Sequence, residues 1–437
     1  MGLARSIGRW SLAALVVNAI VGSTIFGVPS EVIRLVGWVG PVAMILAALI
    51  MAFIVACMAE VASQFTQTGG AYLYVRTVFG HFAALQVGWF WLLASIAGAA
   101  AATNLFVQYL ARLWPTAAQP FTRVVIITVL IAIPTVANYL GVRFGTHLSN
   151  FLTVAKVLPL ILLISLGITY VVNHPSAAAT VGLGEARLSS WLKVLLLLVF
   201  AYSGFENTMA PMGEVEQPRR TAPFALFTGL AISAALYALL EYVVLSTIGA
   251  RGSEHPLADS ASLLVGSRGS LFVAVAAMIS TYGWLSGDVL TIPRVLYAFA
   301  ENGDAPRLLG KLHPRYATPY LALIAYAVLA WLLAITGTFL WVAAVGGAAA
   351  LILYCGVCAA LIRLRKTNPQ ADALRLPFGR PTAVIAIGIS AALICSLDWR
   401  QGILITFTGL FAALNWWAAR RKDSVSRISA TAAGMQD

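Results

Sequence analysis

The chain of 437 residues is 60% hydrophobic and only 10% charged, and its mean hydropathy is +0.87. Ordinary soluble domains carry charge on about a quarter of their residues, so this composition excludes a soluble protein. The basic residues behind the net charge of +12 lie between apolar segments, which indicates contact with anionic lipids and no nucleic-acid partner.

Apolar stretches of about 20 residues recur along the whole sequence, and each predicts a membrane-spanning helix. We therefore predict an all-α integral membrane protein with twelve transmembrane helices. Their approximate bounds are 11–35, 39–62, 82–111, 123–141, 147–172, 191–213, 222–248, 270–299, 319–337, 339–362, 381–397 and 401–419. Only Thr336-Gly337-Thr338 separates the ninth helix from the tenth.

Lys and Arg residues are unequally distributed over the predicted loops. If the N terminus is cytoplasmic, most of the 28 Lys and Arg residues fall on the cytoplasmic side, as the positive-inside rule requires. We therefore expect a multi-pass protein of the plasma membrane with both termini cytoplasmic. Residues 1–437 are expected to form a single membrane domain.

Helix-breaking residues interrupt the first and the sixth predicted spans. Gly22 to Pro29 and Gly204 to Pro211 share the spacing Gly-x6-Pro, and the two spans lie five apart. Glycine-interrupted spans at corresponding places in two halves of a chain point to the binding site of an inverted-repeat transporter. Plain helix packing is the alternative for either glycine-containing segment alone.

Lys156 lies near the middle of the apolar run 148–172. A cation at that depth costs about 2.5–3.5 kcal/mol on insertion scales. With a rise of about 1.5 Å per residue, the side chain lies too deep to reach the interface easily. We expect it to face protein or a wet cavity, where ions and substrates move. The alternative is a structural lysine bonded to the carbonyls of a broken helix.

Four groups of short motifs follow one another along the chain. They are Gly22-Ser23-x-Ile25-Phe26 with Pro29; Ala59-Glu60 with Gly69-Gly70-Ala71-Tyr72-x-Tyr74; Phe200-Ala201-Tyr202-x-Gly204-Phe205-Glu206; and Arg294-Val295-Leu296-Tyr297-Ala298 with Gly303 and Pro306. In this order and spacing, the chain resembles the amino acid–polyamine–organocation (APC) family of permeases over most of its length. It departs from the family at Thr24, where a second glycine is usual, so a β-branched side chain enters the expected substrate site.

The resemblance implies a LeuT-like fold with a five-plus-five inverted repeat and broken helices one and six. The repeats would cover 11–172 and 191–362, followed by two additional helices at 381–419 and a cytoplasmic tail at 420–437. The activity implied is secondary active transport of amino acids by alternating access.

Backbone groups at the breaks would bind the substrate. A broken helix exposes N–H groups that attract an anion and carbonyls that attract a cation. By the resemblance, the N–H groups of Ser23 and Thr24 would hold the α-carboxylate. The carbonyls of Ile20, Phe200 and Ser203 would hold the α-ammonium.

Three further roles follow from the resemblance. Gly22 and Gly204 would permit the unwinding of the two helices. The ring of Phe200 would cover the substrate, with ordinary helix packing as the alternative. Lys156 matches relatives whose ammonium group replaces a sodium ion, which would make transport sodium-independent.

Side chains for specificity are expected from three spans. Ala94, Ser95 and Gly98 are small enough to admit a substrate. Asp288 falls at a position that faces substrate in some relatives and could pair with a cationic side chain; the alternative is a helix–helix hydrogen bond. Glu206 could sense protonation, or it could instead bond the freed backbone N–H groups.

The chain shows no catalytic constellation, metal spacing or nucleotide loop, so we predict neither an enzyme nor a cofactor. The expected partners are an amino acid or amine substrate and membrane lipids, with no nucleic acid and no obligate protein partner. A polyamine or amine transporter or antiporter stays open, as does a non-transporting nutrient sensor on the same fold. Proton-coupled transport and pure exchange are equally open.

Overall fold

The computed structural model describes residues 7–65, 67, 69–141, 146–174, 187–210, 212–249, 253–367 and 374–433, with side chains for all of these except 146–155, 213 and 419–433. Regular structure in these described ranges is helical. The α-helices are α1 (Arg9–Ile20), α2 (Thr24–Gly27), α3 (Pro29–Val36), α4 (Gly40–Ser63), α5 (Gly70–Phe79), α6 (His81–Leu113), α7 (Pro120–Tyr139), α8 (Thr146–Asn173), α9 (Leu188–Tyr202), α10 (Phe205–Thr208), α11 (Pro218–Ile248), α12 (Pro256–Val265), α13 (Ser267–Glu301), α14 (Tyr320–Thr336), α15 (Phe339–Thr367), α16 (Gly379–Ile394) and α17 (Trp399–Ala433).

Many of these helices are long and apolar. Among the described residues, nine stretches could cross a membrane by length and composition: Arg9–Gly27, Pro29–Ser63, His81–Leu113, Pro120–Tyr139, Lys156–Asn173, Leu188–Thr208, Pro218–Ile248, Ser267–Glu301 and Phe339–Thr367. Two further apolar helices, α14 and α16, are shorter, with 17 and 16 residues. The protein is therefore an integral membrane protein with several spans.

The helix ends follow the helix-breaking residues of the sequence. Pro29, Pro120 and Pro218 each begin a helix, where the missing N–H of proline costs no intrahelical bond. Thr336 ends α14 and Phe339 begins α15, so a break does occur where the ninth and tenth predicted spans adjoin. The short helices α5 and α12 lie outside the predicted spans and were missed, because neither is long enough to give a spanning signal.

Helix α6 has the most buried apolar window of the nine spanning candidates. It packs against α13, α14, α15 and α17, and residues 99–102 are four consecutive alanines that are almost fully buried. Small residues let helix backbones approach closely in a membrane. A second group of helices forms around α11, which packs against α1, α4 and α8. The interrupted segments α1–α2 and α9–α10 lie in contact with both groups.

The end of the chain is also helical. Helix α17 continues to Ala433, through most of the segment 420–437 that we expected to form a tail. Residues 434–437 lie outside the described residues, as does Pro211 of the second Gly-x6-Pro motif.

Candidate functional site

The first spanning segment is interrupted between α1 and α2. Residues 21–23 belong to neither helix, and the N–H of Gly22 donates to the carbonyl of Ile20 at 2.7 Å instead of one turn back. No hydrogen bond to the described part of the chain uses the N–H of Ser23 or Thr24. These two buried N–H groups are therefore free to bind an anion.

The second interruption, between α9 and α10, lies directly against the first. Gly204 has φ = 105°, a conformation that side chains strongly disfavour. A Cβ at this position would lie 2.6 Å from the carbonyl oxygen of Ala19. Gly204 is thus required both for its backbone conformation and for the close approach of the two broken segments.

The carbonyl groups at the breaks differ in the donors that they already have. The Ile20 oxygen accepts a backbone N–H at 2.7 Å and the Tyr237 hydroxyl at 2.8 Å. The Phe200 oxygen accepts the N–H and the hydroxyl of Ser203, at 3.3 and 2.8 Å. Both lone pairs of these two carbonyls are therefore engaged. The carbonyls of Ala19 and Ser203 receive no donor from the residues that the structure describes.

A cavity lies between the two breaks. Its walls come from the two interrupted segments, from α6 and from α13. The lining residues are Ala19, Ile20, Gly22, Ser23, Thr24, Ala94, Ser95, Gly98, Phe200, Ser203, Gly204, Glu206, Asn207 and Trp284. The cavity thus brings together most of the expected site residues, and the exceptions are Lys156 and Asp288.

Glu206 is buried at the cavity wall and is tied to its surroundings by two hydrogen bonds. Its carboxylate accepts the N–H of Gly204 at 2.9 Å and the hydroxyl of Tyr354 at 2.7 Å. The first bond satisfies a backbone donor freed by the helix break, which corresponds to the structural alternative. The second bond joins α10 to α15.

Lys156, on α8, contacts the C-terminal end of α1, just before the first break. Its side chain is buried, and Nζ donates to the carbonyl of Asn18 at 2.6 Å. The interruption after Ile20 deprives that carbonyl of its usual intrahelical donor. The lysine therefore supplies a donor to the C-terminal end of α1, in line with both interpretations of its role, a cation substitute and a structural lysine.

Asp288 lies on α13, outside the cavity. Its buried carboxylate accepts a hydrogen bond from Tyr326, whose hydroxyl also lies 3.5 Å from the carbonyl oxygen of Ser95. Ser95 belongs to the cavity wall. Asp288 is therefore connected to the wall through Tyr326, and this contact is the helix–helix hydrogen bond that we considered as the alternative.

Trp284 is the cavity residue that the sequence interpretation missed. A Cβ at Gly98 would lie 2.4 Å from Cη2 of its ring, and a Cβ at Gly22 would lie 3.5 Å from its Cδ1. The indole therefore spans the cavity between α6 and the first break. It lies four residues before Asp288 on one helix face, and this spacing is the signal that could have identified it.

Asn207 and Ala19 were also missed. Asn207 lines the cavity, and its Oδ1 accepts the indole N–H of Trp91 at 2.6 Å, which holds the amide in place. Ala19 contributes through its backbone carbonyl, so its residue type carries no signal.

Comparison with known proteins identifies the family. The family model for amino acid permeases matches residues 7–418. The serine/threonine exchanger SteT of Bacillus subtilis (strain 168) is 28% identical over 334 residues, which are 74% of this chain and 74% of that protein. The b(0,+)-type amino acid transporter 1 of Mus musculus is 24% identical over 443 residues, covering 95% of this chain and 90% of that protein. The family and these relatives are transporters and not enzymes, and the chain belongs to the amino acid permease family of the APC superfamily.

Proposed function

We propose that this protein carries α-amino acids across the plasma membrane by alternating access, without sodium, and either with protons or by exchange. The observation that supports this most is the pairing of unused backbone groups in one cavity. The N–H groups of Ser23 and Thr24 and the carbonyls of Ala19 and Ser203 all belong to cavity-lining residues. An amino acid zwitterion carries the two charges that such groups bind.

The binding mode follows from which acceptors remain available. The α-carboxylate binds the N–H groups of Ser23 and Thr24. The α-ammonium binds the carbonyls of Ala19 and Ser203, because those of Ile20 and Phe200 already accept two donors each. The assignment from the sequence is thus kept for Ser203 and extended to Ala19.

Phe200 forms the cover over the bound substrate. Its ring lines the cavity, and a Cβ at Gly346 would lie 2.6 Å from the ring edge. At Gly347 a Cβ would lie 2.7 Å from the Leu196 carbonyl oxygen, so α15 is close to the backbone of α9 as well. These close contacts between α9 and α15 also support the alternative role of Phe200 in ordinary helix packing. Gly346 and Gly347 leave the space that the ring occupies beside the cavity.

The fold that we propose is LeuT-like, with twelve transmembrane helices. Two inverted five-helix repeats cover 11–172 and 191–362, two more helices lie at 381–419, and both termini are cytoplasmic. The contact between the two interruptions supports this arrangement, because an inverted repeat brings the broken first and sixth helices together at the substrate site.

Sodium independence rests on Lys156. Its ammonium group lies at the carbonyl of Asn18, at the end of the first half-helix, where a bound cation would find an acceptor. Helix α8, which carries Lys156, also packs against α13. A protonated lysine at this place would make a sodium ion unnecessary. The name of the relative SteT, a serine/threonine exchanger, supports exchange as one mode of transport.

An amine without a carboxylate is the rival substrate. It is favoured by the buried carboxylate of Glu206 at the cavity wall. It is disfavoured because the N–H groups of Ser23 and Thr24 would stay unpaired in a buried site, which costs about 1–3 kcal/mol for each group.

Uptake by purified protein in liposomes tests the proposal. A panel of labelled amino acids is offered with sodium or choline outside, and with or without an inward proton gradient or a counter-substrate inside. We expect amino acid uptake in choline, inhibited by free amino acids and not by their decarboxylated amines. Inhibition by the amines alone would favour the rival substrate, and binding without uptake would indicate a sensor.

A further inference from the structure

The side-chain end of the cavity is occupied by one aromatic residue. In the binding mode described above, the backbone groups of the two breaks hold the α-carboxylate and the α-ammonium. Apart from Phe200, Glu206 and Asn207, the remaining wall consists of the small residues Ala94, Ser95 and Gly98 on α6 and of Trp284 on α13. Small residues on α6 alone would leave room for a large substrate side chain, but the indole lies across that room.

The indole of Trp284 lies against two neighbouring segments of the chain. Its Cη2 lies so close to Gly98 that a Cβ there would be 2.4 Å away, and its Cδ1 is in ordinary contact distance of a Cβ at Gly22. Gly98 belongs to α6 and Gly22 to the first interruption, so the ring contacts both segments. The ring is partly buried, and a large substrate side chain that enters between α6 and the first interruption would meet it.

We propose that Trp284 sets the upper size limit of the substrate side chain, so that the protein carries small neutral α-amino acids. This inference rests on the proposed amino acid transport and specifies its substrate class. The side chains of leucine, phenylalanine, lysine and arginine would collide with the indole. Acidic side chains would meet the carboxylate of Glu206 at the same wall, and like charges in a buried site exclude one another.

The first test compares wild type with Trp284→Ala and Trp284→Phe in the liposome assay. The panel is glycine, alanine, serine, valine, leucine and phenylalanine. In wild type we expect leucine and phenylalanine to be taken up at least tenfold less efficiently than alanine, since one methylene group changes discrimination by about 10–200-fold. Trp284→Ala should raise the ratio of leucine to alanine uptake at least tenfold, and Trp284→Phe should raise it less.

The matched control is Trp331→Ala. Trp331 lies on the neighbouring helix α14, donates to Thr128 at 2.8 Å and does not line the cavity. This variant removes an indole without opening the substrate site, so its leucine-to-alanine ratio should equal that of wild type.

A second test uses the contact between Trp284 and Gly98. The substitution Gly98→Ala places a methyl group where the ring lies, so it should push the indole into the cavity and reduce uptake of alanine at least tenfold. In the double variant with Trp284→Ala, the methyl group has no ring to displace, and alanine uptake should recover. Loss of uptake that persists in the double variant would contradict the proposed contact.

Two outcomes overturn the inference directly. One is a wild-type protein that takes up phenylalanine as efficiently as alanine; the other is an unchanged leucine-to-alanine ratio in Trp284→Ala. Stabilisation of the purified variants against thermal unfolding by the same amino acids provides a readout that does not need transport or full activity of the variants. Binding without uptake in wild type would refute transport, and the size limit could still be measured from binding. If no amino acid of the panel binds, both the transport proposal and the size limit are refuted.

Discussion

Substitution of Gly204 by alanine should damage the protein where the two breaks meet. The residue has φ = 105°, and holding a non-glycine residue in such a region costs about 1–3 kcal/mol. The new Cβ would also lie 2.6 Å from the Ala19 carbonyl oxygen, which is a backbone atom and not the end of a flexible side chain. Forcing an extra group into a well-packed site costs typically a further 1–3 kcal/mol.

Two other glycines separate these contributions. Gly266 also has a positive φ, of 74°, but a Cβ there would meet nothing within 4 Å, so Gly266→Ala measures the conformational cost alone. Gly287 lies inside α13, where a Cβ again meets nothing within 4 Å. Alanine has the higher helix propensity by about 1 kcal/mol, so Gly287→Ala should be neutral or stabilising.

The assay is thermal unfolding of purified protein at one scan rate, together with uptake in liposomes. The unfolding temperatures should fall in the order Gly287→Ala, wild type, Gly266→Ala, Gly204→Ala. Uptake should be lost in Gly204→Ala and retained in the other two variants, because only the first displaces the carbonyl of Ala19 from the substrate site. Equal stability of Gly204→Ala and Gly266→Ala would refute the close contact between the two breaks.

Three further substitutions test the residues around the cavity. Lys156→Ala should abolish uptake while the protein still reaches the membrane, and wild-type uptake should be unaffected when choline replaces sodium; strong sodium dependence would contradict the role of the lysine. Thr24→Gly should broaden the range of amino acids taken up, because it removes a β-branched side chain from the cavity wall; an unchanged range would place this side chain away from the substrate. Asp288→Asn should lower the uptake of glycine, alanine and serine by one common factor, because Asp288 contacts Tyr326 and not the cavity; a change in the ratios among these substrates would show direct contact.

The positions of the breaks were predictable because backbone conformation depends on local residues. Gly22 and Gly204 identify two interruptions by their residue type and their spacing to a following proline, and the structure has an interruption at each of them. The apolar spans were predictable for a similar reason, since their length and composition reflect the thickness of the membrane.

The polar partners were less predictable because they come from distant parts of the chain. The donor that fills the second lone pair of the Ile20 carbonyl is Tyr237, which lies 217 residues later. The hydroxyl that donates to Asp288 belongs to Tyr326, 38 residues further along the chain. A sequence contains no direct information on either contact, so it could identify the carbonyls at a break but not which of them remain free.

In the proposed binding mode, recognition of the substrate is divided between two kinds of structure. The free backbone groups of the two breaks bind features that every α-amino acid possesses, and their positions depend on glycine conformation more than on side chains. The choice among amino acids would then fall to the side chains of α6 and α13, above all Gly98 and Trp284, which lie outside the two breaks in the chain. This division would let members of one family bind different amino acids at a shared backbone site. It also implies an order of effects: substitutions at the breaks should impair all substrates together, whereas substitutions at Trp284 should change the ranking among them.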